Sequence, residues 1–254
     1  MTTFTFGGVF SRFFKIIGDN VLLLSVLGLV AYILPAAAIN YGMFTYAGIT
    51  QVNWPQKIQG MPPIYWAWLG AGTVLAIAFQ LFNLAAMTEV VILRAVGKPI
   101  SAGAVISHAL GNIVPILIIS IMVFVVTLGA TCLLIVPGVM FMLASYVAIP
   151  ARVGEPGLGL WGSIKRSFDL TRNHRWLIWG LLIVFGFLFG TLSGSATMTI
   201  LQFGGVNSLA STMAQVVVSG VVNVLHNVLV VAIYVSLRES KDKVKPDETA
   251  NVFA

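Results

Sequence analysis

From Ile113 to Ala151 the chain runs for 39 residues without a charged side chain. Such a segment cannot be held in solution. In lipid its backbone must satisfy its own hydrogen bonds, so it must be helical. A single helix of that length, at about 1.5 Å per residue, would be nearly twice as long as a bilayer core of about 30 Å. The only turn chemistry inside it is Pro137-Gly138. The sequence therefore predicts a tight hairpin of two spans, near 113–136 and 138–152. The second is short, which leaves a shallow or re-entrant segment open as the alternative. Four more apolar stretches, near 20–39, 66–93, 176–196 and 213–237, are long enough to cross. The expected fold class is all-α, a polytopic membrane protein of six transmembrane helices in a single membrane domain over 1–238. Only 9% of the residues are charged, against about 25% in soluble domains.

Thirteen of the fourteen Lys and Arg residues fall on one side of this six-span scheme. Arg12 and Lys15 precede span one, and Arg94 and Lys98 follow span two. Arg152, Lys165, Arg166, Arg172 and Arg175 lie between spans four and five, and Arg238, Lys241, Lys243 and Lys245 follow span six. The opposite loops, near 40–65 and 197–212, carry Lys57 alone. Positive-inside bias then places both termini in the cytoplasm, with a bacterial inner membrane as the expected location. The formal net charge of +6 reflects span anchoring and not a nucleic-acid surface, because the basic residues sit at span ends. Trp54, Tyr65, Trp66 and Trp68 at one end, with Trp161, Trp176 and Trp179 at the other, read as interfacial belts. Arg12, Lys15, the apolar run Val21–Leu34 and Ala36–Ala38 imitate a cleavable leader. The run is long, however, and the pattern described next needs span one. The segment 239–254 is expected to be a disordered cytoplasmic tail.

Three segments share a spacing. Gly7, Val9, Phe10, Ser11, Arg12, Phe13 and Phe14 lead to Asn20 and a span. Gly103, Val105, Ile106, Ser107, His108, Ala109 and Leu110 lead to Asn112 and a span. Gly162, Ile164, Lys165, Arg166 and Phe168 lead to Asn173 and a span. In the first, Val9, Phe10, Phe13 and Ile17 oppose Arg12, Lys15 and Asp19. In the third, Trp161, Ile164 and Phe168 oppose Arg166, Asp169 and Asn173. These are amphipathic helices suited to the membrane interface. The expected arrangement is three parallel repeats of interfacial helix plus helical hairpin. Recurrence of similar composition alone is the alternative. Inverted repeats, the mark of many alternating-access transporters, are not what the pattern gives.

Polar side chains within spans need partners. Gln215, Ser219, Asn223 and His226 lie at i, i+4, i+8 and i+11 on one face of span six, with Asn227 beside them. They read either as interhelical bonding or as the lining of a cavity. Gln80, Asn83 and Arg94 share a similar face of span two. Glu89 is the one carboxylate within a span, set roughly opposite Gln80 and poorly spaced for Arg94. A partner on a neighbouring unit, Arg12 or Arg166, is expected. Gly186, Gly190 and Gly194, spaced by four, predict close helix packing and a span five disrupted by Gly190→Leu. Cys132 reads as a buried inert thiol. No catalytic, cofactor-binding or metal-ligating set emerges. His108, His174 and His226 are dispersed, and there is no C-x-x-C, H-E-x-x-H or phosphate loop. Arg12, Lys15, Lys165, Arg166, Arg172 and Arg175 form instead a basic cytoplasmic collar, suited to anionic lipid headgroups or an acidic protein partner.

Pro137-Gly138, Pro150, Glu155, Arg166-Ser167, Leu170-Thr171 and Arg175-Trp176, with the opening 7–20 and the ending Tyr234–Arg238, carry a resemblance. The chain resembles, over nearly its whole length, the membrane domain of the glycerophosphodiester phosphodiesterase family and related bacterial inner-membrane proteins. The resemblance implies a membrane domain without chemistry of its own. The family's reaction belongs to a separate soluble domain with a His-Arg pair, a Glu cluster and a second His, which no stretch here supplies. His174-Arg175 is a superficial echo. The expected function is a non-catalytic membrane protein, an envelope scaffold or accessory subunit. A small-molecule or lipid transporter using the span-six stripe is the second expectation.

Overall fold

The computed structural model describes residues 4–47, 61–95, 101–155, 157–205 and 208–242, with the side chains of 46, 47, 64, 68, 94 and 95 left out of that description. Of the described residues 92% are helical and none is in a strand. The helices are α1 Phe6–Gly28, a π-helical turn Leu29–Ile33, α2 Leu34–Ala47, α3 Pro63–Ala95, α4 Ala102–Leu133, α5 Ile135–Ser145, α6 Ala148–Gly154, α7 Leu160–Thr171, α8 Arg175–Gly204 and α9 Leu209–Asp242. They form six segments long and apolar enough to cross a membrane: Phe6–Thr45, Tyr65–Leu93, Ala102–Leu133, Ile135–Gly154, Arg175–Gly204 and Leu209–Asp242. Lys57, Trp54, Lys98, Lys243 and Lys245, and the side chains of Trp68 and Arg94, lie outside the described residues.

Helix α9 is the axis of the bundle. It packs against α1, α2, α3, α6, α7 and α8, and Val228 through Tyr234 is buried without interruption. Around it Phe13, Leu24, Met87, Leu143, Ile178, Leu181, Phe185 and Leu237 form the main core. Helices cross α9 closely where glycine removes a side chain. A Cβ at Gly28 would lie 2.4 Å from Cγ2 of Val224, and one at Gly220 would lie 2.3 Å from Cγ1 of Ile33. The α4–α5 hairpin stands at the edge, and only 11% of the most apolar stretch of α4 is buried, against 50% for α9. Apolar α4 residues such as Val114, Phe124 and Val125 therefore face outward, as lipid-facing positions do.

Several expectations are corrected. The hairpin turns at Leu134, whose extended backbone (φ −155°, ψ 133°) separates α4 from α5, and not at Pro137-Gly138. Proline is tolerated in a helix's first turn, where its missing N–H has no partner to lose. Gly138 instead lets α5 press on α4: a Cβ there would sit 2.0 Å from Oγ1 and 2.8 Å from Cα of Thr131. Span four reaches 20 residues, Ile135–Gly154, by being broken at Tyr146-Val147 into α5 and α6. Helix α9 continues through Asp242, four residues into the segment expected to be disordered, because Glu239 and Asp242 are held by ion pairs. Cys132 is exposed, consistent with its place on the edge helix α4. Tyr65 is buried, with its ring 6.1 Å from that of Trp66. Gly186, Gly190 and Gly194 are not packing sites: a Cβ at any of them would meet nothing within 4 Å. Gly186 borders an open cleft between α8 and α9 instead of a helix contact.

The three segments with shared spacing differ in form. In the first, α1 runs into its span through a kink at Asn20 (φ −133°, ψ 16°), whose Nδ2 donates to the Ile16 carbonyl at 3.0 Å. The second continues as one helix, α4, through Asn112 and Pro115. Only the third is separate, with α7 ending before Asn173, which takes a left-handed conformation (φ 71°). Helix α7 turns a further, hydroxyl-bearing face to the protein. Its buried residues are Ser163, Ile164, Ser167, Leu170 and Thr171, while Trp161 is 73% exposed.

Candidate functional site

The break in span four shows why α7 buries hydroxyls. A chain interruption at membrane depth frees backbone groups that must be bonded by protein. Ser167 Oγ donates to the Ala144 carbonyl at 2.7 Å and accepts from the Val147 N–H at 3.2 Å. Thr171 Oγ1 reaches the same carbonyl at 3.3 Å. Both residues are fully buried. Arg166-Ser167 and Leu170-Thr171 stand in the sequence as parts of the resemblance motif, which does not disclose this role. The alternation of small hydroxyl residues every four positions, Ser163, Ser167 and Thr171, was the available signal.

The same helix carries the centre of the charged end of the bundle. Arg166 Nε donates to both oxygens of Glu155 at 3.0 Å, and its Nη2 donates to Asp242. The Tyr234 hydroxyl donates to Glu155 Oε1 at 3.1 Å. Arg238 lies 3.8 Å from Glu155 and 3.7 Å from Asp242. Burial works to lower the pKa of Arg166, but its bonds to Asp242 and Glu155 outweigh that and hold it raised. Arg12 pairs with Glu239 through both nitrogens, at 2.6 and 2.5 Å. Two collar residues, Arg12 and Arg166, are thus joined to the far end of the chain.

The other collar residues are differently placed. Lys15, Lys165 and Arg172 are exposed. Arg175 lies with its guanidinium carbon 5.7 Å from the Phe168 ring centroid. Arg172, Asn173, Arg175, Trp176 and Met140 line an open cleft of about 340 Å³. A second cleft, of about 460 Å³, is lined by Ser107, His108, Gly111, Asn112, Arg152 and Gly157. At its edge Glu89 meets His108, Oε2 to Nδ1 at 2.9 Å. Neither Arg12 nor Arg166 is the partner of Glu89, since both are taken by carboxylates of other elements. His174, at the entry to α8, has its pKa lowered by burial and then by the charge of Lys241.

The span-six stripe divides. Gln215 and Asn227 are buried, whereas His226 is exposed, with its ring 6.5 Å from that of Tyr146. Asn223 Oδ1 accepts from Asn227 Nδ2 at 3.2 Å and from Asn83 Nδ2 at 3.5 Å, which ties α9 to α3. Ser219, Asn223 and His226 also line an open cleft of about 370 Å³ with Tyr32, Phe189 and Ser193. Its walls come from α8, α9 and the π-helical turn, not from α3. Gln80 Oε1 is buried with no bond among the described residues. Among those residues no three His, Cys, Asp or Glu side chains are grouped as metal ligands.

Six apolar helices, tied at one end by partly buried ion pairs, define a multi-pass, all-α membrane protein. Compared with protein-family models, with curated proteins and with solved structures, the chain matches none.

Proposed function

We propose that this chain is a non-catalytic integral protein of a bacterial inner membrane, acting as an envelope scaffold or accessory subunit. Both termini and the charged end would face the cytoplasm, where the basic residues meet anionic headgroups or an acidic partner. The observation that carries the reading is the Glu155–Arg166–Asp242 network. It joins the end of α6 to α7 and α9 through partly buried charges, as a rigid platform requires and a moving gate does not. The resemblance to the membrane domain of the glycerophosphodiester phosphodiesterase family belongs to the same proposal, because there too the chemistry is housed elsewhere. Native purification followed by mass spectrometry tests it: a stoichiometric protein partner is expected. Recovery of the chain alone, with a tightly held solute, would sink the scaffold. A carboxy-terminal alkaline phosphatase fusion that proved active would overturn the topology.

One observation favours a second reading, transport of a lipid or small molecule. The cleft lined by Tyr32, Ser193, Ser219, Asn223 and His226 sets polar groups along an otherwise apolar wall. A retained solute lost on Asn223→Leu would support it over the scaffold.

A further inference from the structure

We propose that the cleft between α5 and the turn entering α8 holds the phosphate of an anionic phospholipid headgroup, gripped by Arg172 and Arg175. The inference deepens the lipid-facing part of the proposed function and rests on it. It starts from where positive charge is left over. Arg12 and Arg166 have carboxylate partners within the chain. Among the described residues Arg172 and Arg175 form no ion pair. The Nε of Arg175 is buried with no acceptor, a donor taken from water without compensation. Its guanidinium carbon lies over the face of Phe168, 5.7 Å from the ring centroid, a contact that leaves the edges of the guanidinium open.

Local backbone gathers these groups. Helix α7 closes at Thr171, the His174 N–H bonds back to the Thr171 carbonyl at 2.9 Å, and Asn173 turns left-handed. Residues 172, 173, 175 and 176 are thereby brought around one cleft of about 340 Å³, whose far side is Met140 of α5. Two guanidinium forks suit the oxygens of a phosphate, which each can bind in pairs. The source of the phosphate follows from the surroundings. Trp176 is 70% exposed, its ring is 5.8 Å from that of Trp179, and Trp161 is 73% exposed. Exposed indoles of this kind mark the membrane–water boundary, the depth of lipid phosphates. Met140 supplies an apolar wall for the glycerol and upper acyl chain, for which a free anion has no use.

The test is native mass spectrometry of the full-length protein in detergent, titrated with phosphatidylglycerol, with phosphatidylcholine and with inorganic phosphate. Phosphatidylglycerol is expected to bind, with affinity falling about fivefold to tenfold in Arg172→Gln and in Arg175→Gln. Lys165→Gln, exposed and outside the cleft, should bind as the parent does. The Arg172 side chain bonds to no described residue, and its backbone bond to the Phe168 carbonyl survives the substitution, so Arg172→Gln keeps the fold, and an unchanged melting temperature verifies that. Equal binding of phosphatidylcholine, undiminished binding by Arg172→Gln, or full displacement by millimolar inorganic phosphate would each overturn the lipid site. A scaffold reading lost for want of a protein partner would leave this titration unchanged, so the two failures are distinguishable.

Discussion

Arg12 and Glu239, 227 residues apart, face each other fork to fork, with Nη1–Oε1 at 2.6 Å and Nη2–Oε2 at 2.5 Å. The pair fastens α1 to the end of α9. Both side chains are partly screened from water, 28% and 15% exposed. Removing one partner strands the other, which costs more than the pair contributes. Arg12→Gln is expected to destabilise by about 1–2 kcal/mol, between an exposed and a buried pair. The charge-exchanged double variant, Arg12→Glu with Glu239→Arg, should recover part of that. Thermal unfolding in one detergent measures both. Equal melting of Arg12→Gln and the parent would mean the contact carries no stability.

Ser167 sits at a more costly position. Its hydroxyl serves both the Ala144 carbonyl and the Val147 N–H at the break in span four. Ser167→Ala leaves the N–H unpaired in a buried site, and Thr171 alone remains for the carbonyl. A loss of about 1–3 kcal/mol is expected. Faster hydrogen exchange should be confined to the amides around Val147. Unaltered exchange there would show that the hydroxyl does not hold the break.

Apolar length and charge placement made the six crossings legible, because lipid leaves a backbone few choices. Boundaries were less so. Pro137-Gly138 reads as a turn, but proline also fits a helix's first turn, and only the packing of Gly138 on Thr131 decides between them. Partners were the least legible. Glu89 was rightly expected to look across to another element, yet it meets His108. One sequence shows that a carboxylate needs a donor but not which donor the fold delivers. The hydroxyl face of α7 was hidden for the same reason: its partners are backbone groups freed by a break that no residue pattern announced.

Glycines separate local spacing from actual contact. At Gly138 an added Cβ would press on the backbone of Thr131, so Gly138→Ala must push two helices apart, at about 1–3 kcal/mol. At Gly190 an added Cβ meets nothing within 4 Å. Gly190→Ala should therefore stabilise α8 by up to about 1 kcal/mol through helix propensity. Melting temperatures that move in opposite directions are the expected result. A destabilised Gly190→Ala would restore the close packing that the four-residue spacing first implied.

His174 gives the charged end a pH dependence. Burial and the neighbouring charge of Lys241 hold its pKa below the usual 6.5. The unfolded chain then takes up a proton near 6.5 that the folded chain resists. Stability from this group is complete above that value and declines as pH falls towards the lower, folded value. Lys241→Gln should move the His174 titration upward, read by NMR of labelled histidine. Phe4, whose ring lies 5.1 Å from that of His174, contributes burial and not charge. Phe4→Leu should accordingly shift it less if the Lys241 field matters. No movement in Lys241→Gln would leave burial as the sole cause.

Asn223 is the junction of the intramembrane polar groups. Its Oδ1 accepts from both Asn83 and Asn227, which are 0% and 1% exposed. Asn223→Leu removes one acceptor and leaves two buried amides short of a partner, whereas Asn227→Leu removes a single bond. The first should cost about 1–2 kcal/mol and the second about half that, since interhelical bonds in membranes are individually modest. The Asn83→Leu, Asn223→Leu double variant should be less damaging than the sum of its parts, because replacing both partners removes the stranded group. Strict additivity would mean that the 3.5 Å contact carries no coupling. The loss at Asn223 would then belong to its bond with Asn227 within α9, and α3 would be held to α9 by apolar packing alone.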